Sequence, residues 1–169
     1  LTHRFESGVL TGKKANLGGS LARKEATGFG AVYFAKAMLG TVSESLQGKT
    51  AVVSGSGNVA IYCAKKLTEL GTKVIAMSDS SGTIHDPFGI DIDVMRALKE
   101  NDRARIDEYQ KHVTGSKFFP EEKVWQFKAN LAFPCATQNE LDKDDAKNAH
   151  RQRMHRHNRR RQYANHSRS

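Results

Sequence analysis

Residues 48–82 read GKTAVVSGSGNVAIYCAKKLTELGTKVIAMSDSSG, and the reading of this stretch decides the fold. Thr50 to Val53 is a short β-branched, apolar run of the kind that forms a buried strand. Gly55-Ser56-Gly57-Asn58-Val59-Ala60 follows at once, in the form G-x-G-x-x-A. Ile61, Ala64, Leu67 and Leu70 then recur at helical spacing, and Gly71 ends the run. Lys73 to Met77 is a second apolar strand, with Asp79 just past it. Strand, glycine turn, helix, strand and acid stand in the order of one dinucleotide-binding βαβ unit.

Each residue type has a physical reason. Gly55 allows a tight turn that a side chain would obstruct, and Gly57 lets the backbone approach a pyrophosphate closely. Ser56, Asn58 and Val59 belong to the same turn, where free N–H groups and the positive end of the helix dipole face phosphate. Ala60 keeps the helix tight on the sheet. Asp79 lies about 20 residues on, where a carboxylate usually meets the adenosine ribose. The plainer alternative is a glycine-rich turn that binds nothing. The complete unit in register argues against it.

At 169 residues the chain is long enough for one domain with a core. It contains no run of 18 apolar residues, which predicts no membrane span. Leu1 is not Met, and Leu1 to Gly8 lacks the apolar core of a signal peptide, so the chain is expected to be cut from something longer. Its two cysteines, Cys63 and Cys135, do not suggest a disulfide scaffold. Cys63 reads as a small buried hydrophobe, and a reducing cytoplasm fits this usage. The net charge of +9 is unevenly spread. Residues 147–169 hold eight of the 27 Lys and Arg and no acid, leaving 19 basic against 18 acidic residues in the body.

The expected organisation has three parts. Residues 1–46 are a connection and an entry helix, 47–147 an incomplete Rossmann-like domain, and 148–169 a basic tail. The entry helix follows Gly18-Gly19-Ser20-Leu21-Ala22-Arg23 and runs to about Leu39, with Val32, Phe34, Ala35, Met38 and Leu39 on its apolar side. Asp91 to Lys99 and Arg105 to Val113 read as short helices, residues 115–124 as a polar connection, and Ala129 to Phe133 as a strand. Trp125 and Phe127 read as packing residues. His85 and His112 have no metal-ligand partners in the pattern and read as surface residues, so no metal site is expected.

Five motifs in order carry a resemblance: L-T-x-R-F-E-x-G-V-L-T-G-K, G-G-S-L-A-R-x-E-A-T-G-F-G, V-S-G-S-G-N-V-A, S-D-S-S-G-T and P-C-A-T-Q-N-E-L. Together they resemble the cofactor-binding domain of the hexameric, NADP-type glutamate dehydrogenases, from Leu1 to about Asp145. The resemblance implies that Thr27 contacts cofactor near the nicotinamide end, and that Asn58, within the fingerprint, makes another cofactor contact. It implies a Ser80 contact to the adenosine 2′-phosphate. Ala136, Gln138 and Asn139 would lie beside the nicotinamide ribose. Read without the family, 134–141 is only a polar strand-to-helix turn.

Asp79 alone argues for NAD, because a carboxylate repels a 2′-phosphate. S-D-S-S-G-T resembles the NADP-type enzymes, and Arg103 and Arg105 would bring compensating charge unless they merely start a solvated helix. NADP is the expected cofactor, with NAD possible. The implied fold is α/β, a Rossmann-like, doubly wound, mostly parallel sheet truncated at its C-terminal side. The implied reaction is oxidative deamination of L-glutamate to 2-oxoglutarate and ammonia, or the reverse, in a homo-hexamer. The family's proton-handling lysine and aspartate lie in an upstream domain, so no catalytic residue is assigned and this chain alone is expected to be inactive. A leucine or phenylalanine dehydrogenase, and a non-enzymatic basic nucleic-acid-binding protein, are the alternatives.

The tail NAHRQRMHRHNRRRQYANHSRS has no strand or helix period. A basic arm for nucleic acid is one reading. Back-translation in a frame shifted by one base supplies another: from Asn148 it permits Met-Leu-Ile-Ala-Asn-Gly-Cys, and from Arg161 it permits Ala-Asn-Met-Pro-Thr. Glutamate dehydrogenases resemble this continuation, a helix and then E-G-A-N-M-P-T-T. The tail is therefore expected to be an out-of-frame translation. Sequencing genomic DNA across codon 147 should reveal an open shifted frame encoding that continuation. A clean read-through, with the shifted frame soon closed by a stop codon, would restore the basic arm.

Overall fold

The computed structural model describes residues 16, 19–21, 23–100 and 103–147. The tail, with both readings of it, lies outside the described residues, as does most of 1–22. The fold is α/β. In chain order it runs α1 (Arg23–Gly40), β1 (Thr50–Val53), α2 (Asn58–Glu69), β2 (Lys73–Asp79), β3 (Gly82–His85), α3 (Ile92–Glu100), a 3-10 helix (Ile106–Lys111), β4 (Lys117–Pro120), a 3-10 turn (Val124–Gln126) and β5 (Leu131–Phe133).

The five strands form one sheet in the order β4-β3-β2-β1-β5. β1 pairs in parallel with β2 on one side and β5 on the other. β3 is antiparallel to both β2 and β4, so it alone opposes the other four strands. β1 is apolar on both faces because it is an interior strand covered on both sides. Its residues Ala51, Val52 and Val53 are buried.

One face of the sheet carries the main core. Ala51, Val53, Val74, Met77 and Ile84 meet Val32 and Leu39 of α1, Ala60, Cys63, Ala64 and Leu67 of α2, and Met95 and Leu98 of α3. Ile106 and Tyr109 close the far end, and the Tyr109 hydroxyl accepts the N–H of Asp91 at 2.7 Å. The other face packs Val52, Ile75 and Ala76 against Val124 and Trp125, with Phe127 beside them. Trp125 and Phe127 thus pack, as their composition predicts.

The βαβ unit matches its expected order, with Gly71 at φ +78° ending the turn after α2. The hairpin partner strands were not legible. β3 is four residues long, and β4 was expected as a polar connection; it pairs because Ile84 and Thr83 of β3 offer an edge to Phe118 and Phe119. Pro120, which has no N–H to donate, ends that edge strand. Gly82 is demanded by this pairing: a Cβ there would stand 2.3 Å from the Phe119 carbonyl oxygen.

Two expectations about side-chain placement are corrected. Phe34 and Met38 lie outward on α1, 68 % and 57 % exposed, while Gly28, Val32 and Leu39 face the core. α1 is apolar on several sides, so its period does not choose a face; close contact at Gly28 does. A Cβ on Gly28 would stand 2.6 Å from both the Cys63 nitrogen and the Val59 oxygen of α2. His85 is half-buried rather than a surface residue: it stacks on Phe127 at 4.8 Å between centroids, and Phe119 meets Phe127 edge-on at 5.1 Å.

The Gly28 contact sets the first prediction of stability. Gly28→Ala should cost about 1–3 kcal/mol through overpacking against fixed helix backbone. Gly30→Ala, with nothing within 4 Å of its Cβ, should be neutral or stabilising by up to about 1 kcal/mol. Urea melts of the two variants check this; equal effects at both positions would contradict it.

Candidate functional site

The ends of three strands meet at one edge of the sheet. Ser54, after β1, takes the Phe133 carbonyl of β5 through its N–H at 3.0 Å and accepts the Cys135 N–H on its hydroxyl at 2.8 Å. Gly55 N–H donates to the Ser78 hydroxyl of β2 at 3.3 Å. Gly55 has φ +84°, and a Cβ there would stand 3.1 Å from Ala136 Cα and from the Cys135 carbonyl. Its glycine is therefore required twice, by the turn and by the loop from β5 that lies against it.

A cleft of about 520 Å³ opens there, lined by Gly55, Ser56, Gly57, Asp79, Ser80 and Ala136 among others. It sits outside the carboxyl ends of β1, β2 and β5, on either side of the strand where the connection order reverses, which is where open α/β sheets bind ligands. α2 begins beside it, with Gly57 as N-cap and no side-chain cap. The first N–H groups of a helix have no intrahelical partners and favour an anion. A Cβ on Gly57 would meet nothing within 4 Å, so the space above this turn is open backbone cradle. The residues present fit a pyrophosphate.

Asp79 does not offer a free carboxylate. One oxygen accepts from the Ser81 N–H at 2.8 Å and from its hydroxyl; the other accepts from Ile106 N–H at 3.1 Å and faces Lys99 Nζ at 3.4 Å. Burial pushes its pKa up, but the Ser81 and Ile106 hydrogen bonds and the Lys99 charge outweigh this and hold it below the usual carboxylate value. Ser80, next to it, is exposed, and its hydroxyl accepts from Arg105 Nη1 at 3.2 Å. Arg103 is exposed.

The other expected positions fall around this cleft rather than in its lining. Asn58 and Val59 form the first turn of α2. Thr27 is exposed on α1 next to Gly28, which seats against Val59. Gln138 and Asn139 are exposed in the loop after β5, Asn139 at φ +57°. Glu140 folds this loop back, accepting the Ala136 N–H at 3.1 Å. Ser54, Ser78 and Lys99 were not anticipated. A hydroxyl at the end of each apolar strand was a readable signal for the two serines; nothing local marked Lys99.

On the opposite wall Lys123 joins two segments through Asp142 at 3.0 Å and Asp145 at 2.7 Å. Asp142 is lowered to about 2, first by the Asp145 N–H and then by Lys123. Among the described residues, no three His, Cys, Asp or Glu converge as metal ligands, and no helix is long and apolar enough to cross a membrane.

Fold and cleft together define a Rossmann-like dinucleotide-binding domain. Residues 18–155 match the family model for Glutamate/Leucine/Phenylalanine/Valine dehydrogenase, and the chain belongs to that family. It is 50 % identical over 154 residues to the NADP-specific glutamate dehydrogenase of Helicobacter pylori strain J99, covering 87 % of this chain and 34 % of that protein. It is 47 % identical over 151 residues to the NAD-specific glutamate dehydrogenase of Bacteroides fragilis, covering 88 % and 34 %. Among solved structures, Plasmodium falciparum glutamate dehydrogenase superposes with a TM-score of 0.81 at 46 % identity, covering 86 % of this chain and 32 % of that one. The chain spans about a third of the length of the curated relatives it matches.

The Asp79 partnership predicts a pH signature. A carboxyl with a lowered folded pKa stabilises fully above its unfolded value, about 3.9, and that stabilisation is lost as pH falls through the folded value. Asp79→Asn should lower the thermal midpoint near neutrality, with the deficit shrinking toward acid. A deficit that stays constant across that range would contradict it.

Proposed function

We propose that the chain is the cofactor-binding part of an NADP-dependent glutamate dehydrogenase, which interconverts L-glutamate with 2-oxoglutarate and ammonia. The observation that carries this is the meeting of Gly55–Gly57 and Cys135–Glu140 in one cleft at the switch point of the sheet. Leucine and phenylalanine dehydrogenases share the family; the glutamate dehydrogenase names of the relatives at 50 % and 47 % identity favour glutamate. When bound, the nicotinamide cofactor supplies the hydride chemistry.

The chain's own residues bind and orient. Gly55, Ser56 and Gly57, with Asn58 and Val59 in the first turn of α2, hold the pyrophosphate. Ala136, Gln138 and Asn139 lie toward the nicotinamide ribose, and Thr27 approaches from α1. Asp79 acts by fixing the turn that carries Ser80, and Ser80 with Arg105 receives the 2′-phosphate. This explains how an acidic residue at this position accompanies NADP: its charge is already met by Lys99, Ser81 and Ile106. NAD is the second reading, because it needs neither Ser80 nor Arg105 and NAD-specific relatives match as well. Assembly as a homo-hexamer and residence in a reducing cytoplasm belong to the same proposal, the second supported by free Cys63 and Cys135.

The test is calorimetric titration with both cofactors. Arg105→Ala and Ser80→Ala should weaken NADPH by about tenfold or more, the loss of one charge-assisted contact of about 1.5–3 kcal/mol, and leave NADH nearly unchanged. Equal losses for both cofactors would remove the 2′-phosphate role. Failure of the unaltered chain to bind either would remove the cofactor reading.

A further inference from the structure

The loop after β5 carries the positions placed toward the nicotinamide ribose, yet little of it is packed. Pro134 and residues 136–139 are exposed; Cys135 is half-buried and packs against the main core. Asn139 sits at φ +57°, in the left-handed region that asparagine tolerates better than most residues. A segment with so few apolar contacts takes its shape from its hydrogen bonds. The Cys135 N–H donates to the Ser54 hydroxyl at 2.8 Å, and the Ala136 N–H donates to the Glu140 carboxylate at 3.1 Å. The second bond closes the loop on itself. The first ties it to the end of β1.

Ser54 stands where the parallel pairing of β1 with β5 runs out. Ala51, Val52 and Val53 pair with Leu131, Ala132 and Phe133, and the Ser54 N–H carries the ladder one step further by donating to the Phe133 carbonyl at 3.0 Å. In a parallel ladder the next bond runs from the N–H of the facing chain, here Cys135, back to the carbonyl of the same residue, here Ser54. The chain turns away at Gly55, φ +84°, and the Ser54 hydroxyl takes that N–H instead. Ser54 is 3 % exposed, so water has little access to replace it.

We propose that Ser54 is a positioning residue: its hydroxyl extends the β1–β5 ladder past the strand end and holds loop 135–140 in the pose that meets the nicotinamide half of the ligand. Ser54→Ala keeps the backbone of β1 and deletes one acceptor. The Cys135 N–H then loses its partner, and the loop is left with its internal bond to Glu140. The adenosine end is fixed separately, because the turn that carries Ser80 is held by Asp79 through Ser81 and Ile106. The loss should therefore fall on one end of the ligand. That this end is the nicotinamide rests on the function proposed above; the hold of Ser54 on the loop does not.

The experiment compares the full chain with Ser54→Ala. Calorimetric titration uses NADPH and adenosine 2′,5′-bisphosphate, which carries the 2′-phosphate but no nicotinamide. The variant should bind NADPH about three- to tenfold more weakly, the loss of one hydrogen bond, and the bisphosphate within about twofold of the unaltered chain. Equal losses for both ligands, or no loss for NADPH, would overturn the proposal. A second measurement needs no ligand: amide hydrogen exchange read residue by residue by NMR. Ala136 keeps its own acceptor in the variant, so its exchange reports the pose of the loop rather than the deleted bond. Cys135 and Ala136 should both exchange at least about tenfold faster, while Ala51 and Val53 inside β1 keep their rates. Faster exchange at Cys135 alone, or in β1 as well as the loop, would equally overturn it. If the unaltered chain binds neither ligand, the cofactor reading falls, and the exchange rates still decide whether Ser54 holds the loop.

Discussion

Most of this structure depends on β1 being held between two parallel neighbours. Parallel pairing puts the carboxyl ends of β1, β2 and β5 at one edge of the sheet. The turns that leave those ends must then share a small space. The Ser54 and Ser78 hydroxyls bind them together by accepting the Cys135 and Gly55 N–H groups, and Gly55 lets the loop at Ala136 approach to contact distance. A side chain at Gly55 would separate the two halves of the cleft. Conformation and packing therefore place the same demand on one residue.

The helical layer follows from a second close approach. Gly28 seats α1 on the backbone of α2 near its first turn, and so sets the position of everything that α1 carries toward the cleft. The outer side of α1 keeps Phe34 and Met38 exposed, an arrangement dictated by the Gly28 contact rather than by hydrophobic period. On the far face of the sheet the packing is aromatic and thin, with Trp125 and Phe127 against Val52, Ile75 and their neighbours and His85 stacked on Phe127.

Charge is handled internally at the site. An aspartate in this place repels a 2′-phosphate if its oxygens face the ligand. Here both oxygens are engaged by Ser81, Ile106 and Lys99, which converts a ligand-facing acid into a clamp on the turn. Arg105 then approaches the adjacent Ser80 without opposition from a free carboxylate. The same economy of contacts recurs at Lys123, which ties the wall after β4 to Asp142 and Asp145.

The βαβ unit was legible from residues 48–82 because its determinants are local: β-branched strands, glycines at forced backbone positions, a helix with one apolar face. The motifs around Thr27, Ser80 and Ala136 were legible by resemblance, and the family match agrees with that reading. What the sequence determined by itself was therefore the class of fold, the fingerprint turn and the family. What only the tertiary structure decided was which groups face each other across the chain. The direction of Asp79 is set by Lys99 and Ile106, the face of α1 by a contact to α2, and β4 by the free edge of β3. Each of these depends on residues remote in sequence, and no local period or motif encodes a distance between them.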